Sequence, residues 1–183
     1  MGRNRNFDMA EARASARDLF LKRGFEGPSI EEICHAIGIN KPSFYRFFVS
    51  KEALYFDLIS EFSRLLVQRL KLFDLAQDAD RGLESFFDDL ILTYSQSEAK
   101  GCFLYSTLPL LAATNEQAEN ALAFHQDHVV LALQKESGFS VQRARRIAML
   151  IPAVSALVRA GYSRQSVRQF VKDHLDLCRH DGK

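Results

Sequence analysis

Three constellations in this chain have residue types and spacings that could do chemistry. Cys102 with His125 or His128 would pair a thiol nucleophile with an imidazole base. No motif joins them, and Lys100 is the one basic residue beside Cys102, so an inert buried thiol is the stronger reading. His125 and His128, three apart on one helical stretch, could share a metal ion. No third ligand falls at helical spacing, because Asp127 points elsewhere, and a pocket-lining or bundle histidine fits better. Neither an enzyme nor a metal or other cofactor is therefore expected. The third constellation is Lys41-Pro42-Ser43-Phe44-Tyr45-Arg46. A short helix carrying cations, a hydroxyl and a tyrosine on one side has donors for phosphates and for base edges.

Such a helix needs elements that hold it outward. The spacing predicts a first helix over 8–24, with Ala12, Ala16, Leu19 and Phe20 as its apolar stripe and Gly24 as its stop. Ser29-Ile30-Glu31-Glu32 is a capping box that opens a short second helix ending before Gly38. Asn40 caps the third helix, with Pro42 tolerated in its first turn. Gly38 supplies the left-handed turn, and Ile33, Ile37, Ile39, Phe44 and Phe47 are expected to face the shared core. Cys34 takes the close-crossing position, where a small side chain fits. Ser50-Lys51-Glu52 starts a long fourth helix. Two short helices joined by a tight turn, the second presented outward, form a helix-turn-helix.

The run from Lys22-Arg23-Gly24-Phe25 through Ser29-Ile30-Glu31-Glu32-Ile33 and Gly38-Ile39-Asn40-Lys41-Pro42-Ser43-Phe44-Tyr45-Arg46-Phe47 to Ser50-Lys51-Glu52-Ala53-Leu54 resembles the DNA-binding head of the TetR family. The likeness covers about residues 10–57, with Cys34 where the family usually has alanine. It implies that Lys41, Pro42, Ser43 and Tyr45 approach bases and that Ser29, Tyr45, Arg46 and Lys51 hold phosphates. Physical chemistry agrees for Ser29 and Lys51, which lie at helix N-termini where free N–H groups favour anions. It further implies a transcriptional regulator, a repressor released from double-stranded operator DNA by a small molecule. Such a protein works as a homodimer on an inverted repeat.

Beyond residue 50 the pattern stays helical, with segments at roughly 82–97, 103–113, 116–137, 141–160 and 163–178. The expectation is an all-α chain of nine helices: a head over 1–50 and a ligand-binding and dimerisation body over 51–183. A pocket is expected between the fourth helix and its neighbours, lined by Phe62, Leu66, Phe86, Leu90, Phe103, Leu108, Phe124, His128 and Met149. Its apolar walls suit a hydrophobic or aromatic ligand. Apolar stripes on the last two helices, with Ile147, Ile151, Val154, Val158, Val167, Phe170, Val171 and His174, are expected to build the dimer, although both stripes would equally close the chain's own core.

Composition bounds the rest. The first 51 residues carry nine Lys/Arg against six Asp/Glu, while the whole 183-residue chain is only +1, so the head is basic and the body mildly acidic. Three widely spaced cysteines fit reduced thiols of a cytoplasmic protein. The N-terminus, with Arg3, Arg5, Asp8 and Glu11, has no signal-peptide pattern, and no apolar stretch is long enough for a membrane. The main rivals are an enzyme built on Cys102 and a helix-turn-helix protein that recruits a partner without sensing a ligand.

Overall fold

A computed structural model describes residues 8–96 and 100–179; Arg3 and Arg5 lie outside them. Every described element is a helix: α1 (Met9–Arg23), α2 (Ile30–Ile37), α3 (Lys41–Phe48), α4 (Lys51–Leu70), α5 (Ala79–Gln96), α6 (Phe103–Ala112), α7 (Glu116–Ser137), α8 (Val141–Ala148), α9 (Leu150–Arg159) and α10 (Arg164–Arg179). The last two of the short segments, α8 and α9, are halves of one helix. Met149 between them keeps helical dihedrals, φ −67 and ψ −17. Pro152, one turn on, has no N–H to bond the Ala148 carbonyl, so the ladder breaks there while the path continues. Counted this way, the described residues hold the nine helices read from the sequence.

Local signals set the head. Asp8 caps α1, accepting from the Ala10 and Glu11 amides. The capping box at α2 is complete, with the Ser29 hydroxyl accepting from the Glu32 amide and the Glu32 carboxylate accepting from the Ser29 amide. Gly38 turns the chain at φ 75 and ψ 28, a left-handed conformation that a Cβ would penalise. Asn40 then caps α3 through the Ser43 amide at 2.9 Å. Ile33, Cys34, Ile37 and Phe44 are buried as expected and Ile39 partly so.

One core residue of α3 differs from expectation. Phe48 is 6% exposed and Phe47 is 40% exposed. Phe44 and Phe48 lie four apart and share a face, whereas Phe47 sits about 300° round from Phe44 and falls on the rim. Val49 follows at φ 65, a left-handed conformation unusual for a β-branched residue, and is 74% exposed. It swings the chain sharply into α4, whose N-cap Ser50 accepts from the Ala53 amide at 3.0 Å.

Helix α4, 20 residues long, spans about 30 Å and joins head to body. Arg13 of α1 clamps it by pairing with Asp57 and with Glu61 at 2.9 Å. In its second turn the fully buried Tyr55 meets Phe20, Phe25, Phe56 and Phe103. The Tyr55 hydroxyl lies 2.8 Å from Thr107 Oγ1. Thr107 already donates its proton to the Phe103 carbonyl, so Tyr55 is the donor of the pair. Burial pushes the Tyr55 hydroxyl up to about 12, so it stays a donor throughout the physiological range.

The C-terminal stripes turn inward. Ile147, Ile151, Val154, Val158, Val167 and Val171 are all buried by the chain's own helices. Of the two roles open to these stripes in the sequence, closing the chain's own core is the one these six residues fill within the single chain. An amphipathic stripe looks the same whether a neighbouring helix of the same chain or of another covers it. Phe170 and His174 remain partly exposed, their rings 4.1 Å apart. Outward stand Met149 at the α8–α9 junction and Ala156 on α9, with Pro152 and Ala153 half-buried beside them.

Candidate nucleic-acid interface

The seven head residues singled out by sequence fall on one short stretch of secondary structure and its two flanks. Lys41, Pro42, Tyr45 and Arg46 are exposed on α3, and Ser43 is half-buried in its first turn. Tyr45, 44% exposed, leans its ring edge-on against buried Phe44 at 5.5 Å, which fixes the ring while leaving the hydroxyl outward. Arg46 lies over the Phe47 ring at 4.8 Å. Ser29 and Lys51 flank α3 at the starts of α2 and α4. The Lys51 ammonium sits 4.7 Å above the Phe25 ring and donates to the Glu26 carbonyl at 3.4 Å, so it is positioned at the seam between the α1–α2 loop and α4.

Two features of this surface were not readable from spacing. The Lys41 ammonium pairs with the Glu31 carboxylate, ten residues upstream across the turn. That contact raises the lysine and lowers the glutamate from their ordinary values. Behind it, Arg23 and the Ser29 amide hold the Glu32 carboxyl down to about 2. The second feature is Val49, whose left-handed backbone sets the angle between α3 and α4. Valine gives no sequence signal for such a turn.

The rival sites are not assembled. His125 is buried, with Nδ1 2.6 Å from the Ser63 hydroxyl and its ring edge-on to Tyr105. His128 is exposed and packs at a tilt against Phe124, with ring centres 3.9 Å apart. The two rings thus face different surroundings, and among the described residues no three potential ligands gather in a metal-binding group. Burial holds the Cys102 thiol above its ordinary value, which disfavours a nucleophilic thiolate. Cys102 is the N-cap of α6, and its amide donates to Ser155 at 2.8 Å.

The pocket residues predicted from sequence scatter. Phe62, Leu66, Leu90 and Phe103 line a cavity of about 670 Å³ between α1, α4 and α5. Phe124 and His128 line a separate cleft of about 680 Å³ between α4 and α7. Met149 borders a smaller one of about 280 Å³ against Tyr105 and Arg145. Phe86 and Leu108 are buried core and border none of these three. The single pocket expected from sequence is therefore not one chamber.

Residues 13–58, the stretch that builds α1 through the first turns of α4, match the model of the bacterial regulatory proteins of the tetR family. The helix-turn-helix head is thus similar to that of TetR-family regulators. The chain's curated relatives are regulators, not enzymes. The chain is 28% identical over 151 residues to the HTH-type transcriptional activator FasR of Mycolicibacterium smegmatis, covering 77% of this chain and 65% of FasR. It is 38% identical over 61 residues to the transcriptional repressor BdcR of Escherichia coli, covering 33% of this chain and 31% of BdcR. The matches thus span less than two thirds of these relatives. Among solved structures, a cysteine mutant of the TetR-family regulator CifR complexed with 26-bp double-strand operator DNA superposes with a TM-score of 0.77 at 22% identity, covering 96% of this chain and 98% of that one. Reduced NemR of E. coli superposes with a TM-score of 0.72 at 21% identity, covering 90% and 94%. At these identities the two structures establish a shared fold. No helix among the described residues is long and apolar enough to cross a membrane.

Proposed function

We propose that this chain is a TetR-family, sequence-specific regulator of transcription that binds double-stranded DNA as a homodimer. The observation that carries the reading is α3: a rigid two-turn helix, anchored by Phe44 and Phe48, that offers Lys41, Pro42, Tyr45 and Arg46 to solvent. Lys41, Ser43 and Tyr45 at the start of α3 would meet base edges in the major groove, where the second helix of such a motif enters. Ser29, Arg46 and Lys51 would hold the flanking phosphates, since each is a donor at the edge of that surface.

A two-fold dimer reads an inverted repeat when its recognition helices stand about 34–36 Å apart. With the α9 and α10 stripes used up in the chain's own core, we assign the contact to their outward sides: Met149 at the α8–α9 junction, Ala153 and Ala156 on α9, and Phe170, His174 and Leu177 on α10. Small residues on α9 would allow a partner helix to approach closely. In full, the proposal is a cytoplasmic repressor released from its operator when a small apolar molecule enters the body. BdcR supports repression, while FasR, an activator, gives the alternative sign.

Gel-shift titration of the purified protein against the DNA flanking its own gene tests the reading. Saturable binding to one inverted repeat, lost when either half-site is scrambled, is the expected result. Equal affinity for all fragments would refute it, and a run-off transcription assay on the bound fragment fixes the sign.

A further inference from the structure

The cavity between α1, α4 and α5 has an unusual composition for a crevice next to a DNA-binding head. Its floor is apolar, with Leu21, Phe62, Leu66, Leu90 and Phe103. Its polar walls are Arg17 and Asp18 of α1, Arg69 of α4, and Asp89, Thr93 and Tyr94 of α5. Arg69 is satisfied within the wall, pairing with Asp89 and donating to Thr93 Oγ1 at 2.6 Å. Asp18 is exposed. Two donors are left over. Arg17 is half-buried and has no carboxylate partner among the described residues. The Tyr94 hydroxyl is fully buried and meets only the Cys102 thiol, a weak acceptor. A buried donor without a strong acceptor is costly, so the cavity is short of acceptors.

We infer that this cavity binds an apolar carboxylate whose acid group pairs with Arg17 and whose tail lies on the Leu21–Phe62–Phe103 floor. A carboxylate is acceptor-only and supplies what the walls lack, and a guanidinium holds it through charge-assisted hydrogen bonds. The volume of about 670 Å³ lies in the range of small-molecule sites. The position matters as much as the chemistry. Arg17 and Leu21 belong to the head helix α1, while the other walls belong to α4, α5 and the start of α6. An occupant therefore touches head and body at once, on the side of α4 opposite the cleft that holds Phe124 and His128. The inference rests on the proposal that a small molecule controls the regulator, and it names the site and the ligand class.

Calorimetric titration of the full chain with decanoate and with 1-decanol tests it. Decanoate is expected to bind at least tenfold more tightly than the alcohol of the same length. Arg17→Gln should cost decanoate about tenfold and leave the alcohol unchanged, and Leu65→Trp, at a partly exposed wall position, should abolish both by filling the cavity. Helical circular dichroism confirms that each variant is folded. Equal binding of acid and alcohol, no effect of Arg17→Gln, unimpaired binding in Leu65→Trp, or no binding of either probe to the wild type would each overturn the inference. Gel shift is read separately: a chain that shows this ligand pattern but binds no inverted repeat would remove the DNA reading and leave the site standing.

Discussion

His125 makes stability depend on pH in a window where few other groups titrate. Its ring is buried between α7 and α4, with Ser63 on Nδ1 and nothing on Nε2. Burial, with a smaller contribution from His128, lowers its pKa from 6.5 to about 4. The unfolded chain therefore takes up a proton near pH 6.5 while the folded chain does not until about pH 4. Stability linked to His125 is complete above pH 6.5 and is lost progressively as pH falls from 6.5 to 4. A shift of this size corresponds to about 3 kcal/mol in full, of which roughly 1–2 kcal/mol is lost by pH 5.5. The perturbation is the double variant Ser63→Ala/His125→Phe, which removes the imidazole and the hydroxyl that would otherwise lose its partner. Urea denaturation followed by circular dichroism at pH 7.5, 6.5 and 5.5 gives the unfolding free energy of each protein. Wild type should fall by about 1–2 kcal/mol more than the variant across that range. Parallel pH profiles would show that the ring is hydrated or already charged in the fold, and the burial argument would fail.

Three further outcomes follow from the fold. Lys51→Ala should weaken binding to every DNA sequence alike and reduce the salt slope by about one for each head, whereas Lys41→Ala or Ser43→Ala should change preference at particular base pairs by about 1–3 kcal/mol; competition gel shifts at several salt concentrations separate the two behaviours. Ala156→Arg, exposed on α9, should yield a folded monomer in sedimentation that no longer retards operator DNA, while an unchanged dimer would move the contact elsewhere. Tyr55→Phe should lower stability by about 1 kcal/mol in denaturant titration, because Thr107 keeps its bond to Phe103 and only the α4–α6 bond is lost.

The head was legible because its determinants are local. The Ser29–Glu32 box, Gly38, Asn40 and Ser50 each act within four residues, and each does in the fold what its residue type announces. Phe47 was misplaced because two adjacent phenylalanines offer two faces, and the choice of Phe48 is made by packing against the rest of the head. The body was legible as helices but not as sites. Phe62, Phe124 and Met149 share one apolar pattern yet border three different cavities, since helix orientation depends on contacts between residues far apart in sequence. Val154 and Val171 show the same limit, because periodicity reports that a face is covered and not which chain covers it. Arg17 carried no signal at all: its role depends on what lies opposite it across the α1–α5 gap.

The pairing of Lys41 with Glu31 bears on how such a protein would search a genome. A phosphate that approaches Lys41 must compete with a carboxylate already in place, and Glu31 itself repels the backbone of any duplex it meets. Contacts of this kind weaken adhesion to arbitrary DNA more than adhesion to a target, because at the target a correctly placed acceptor on a base offers the ammonium a well-aligned replacement while other donors fix the register. Dwell time on irrelevant sequence shortens, and the fraction of molecules free to reach the operator rises. The internal acid thus acts as a built-in competitor that trades raw adhesion for discrimination.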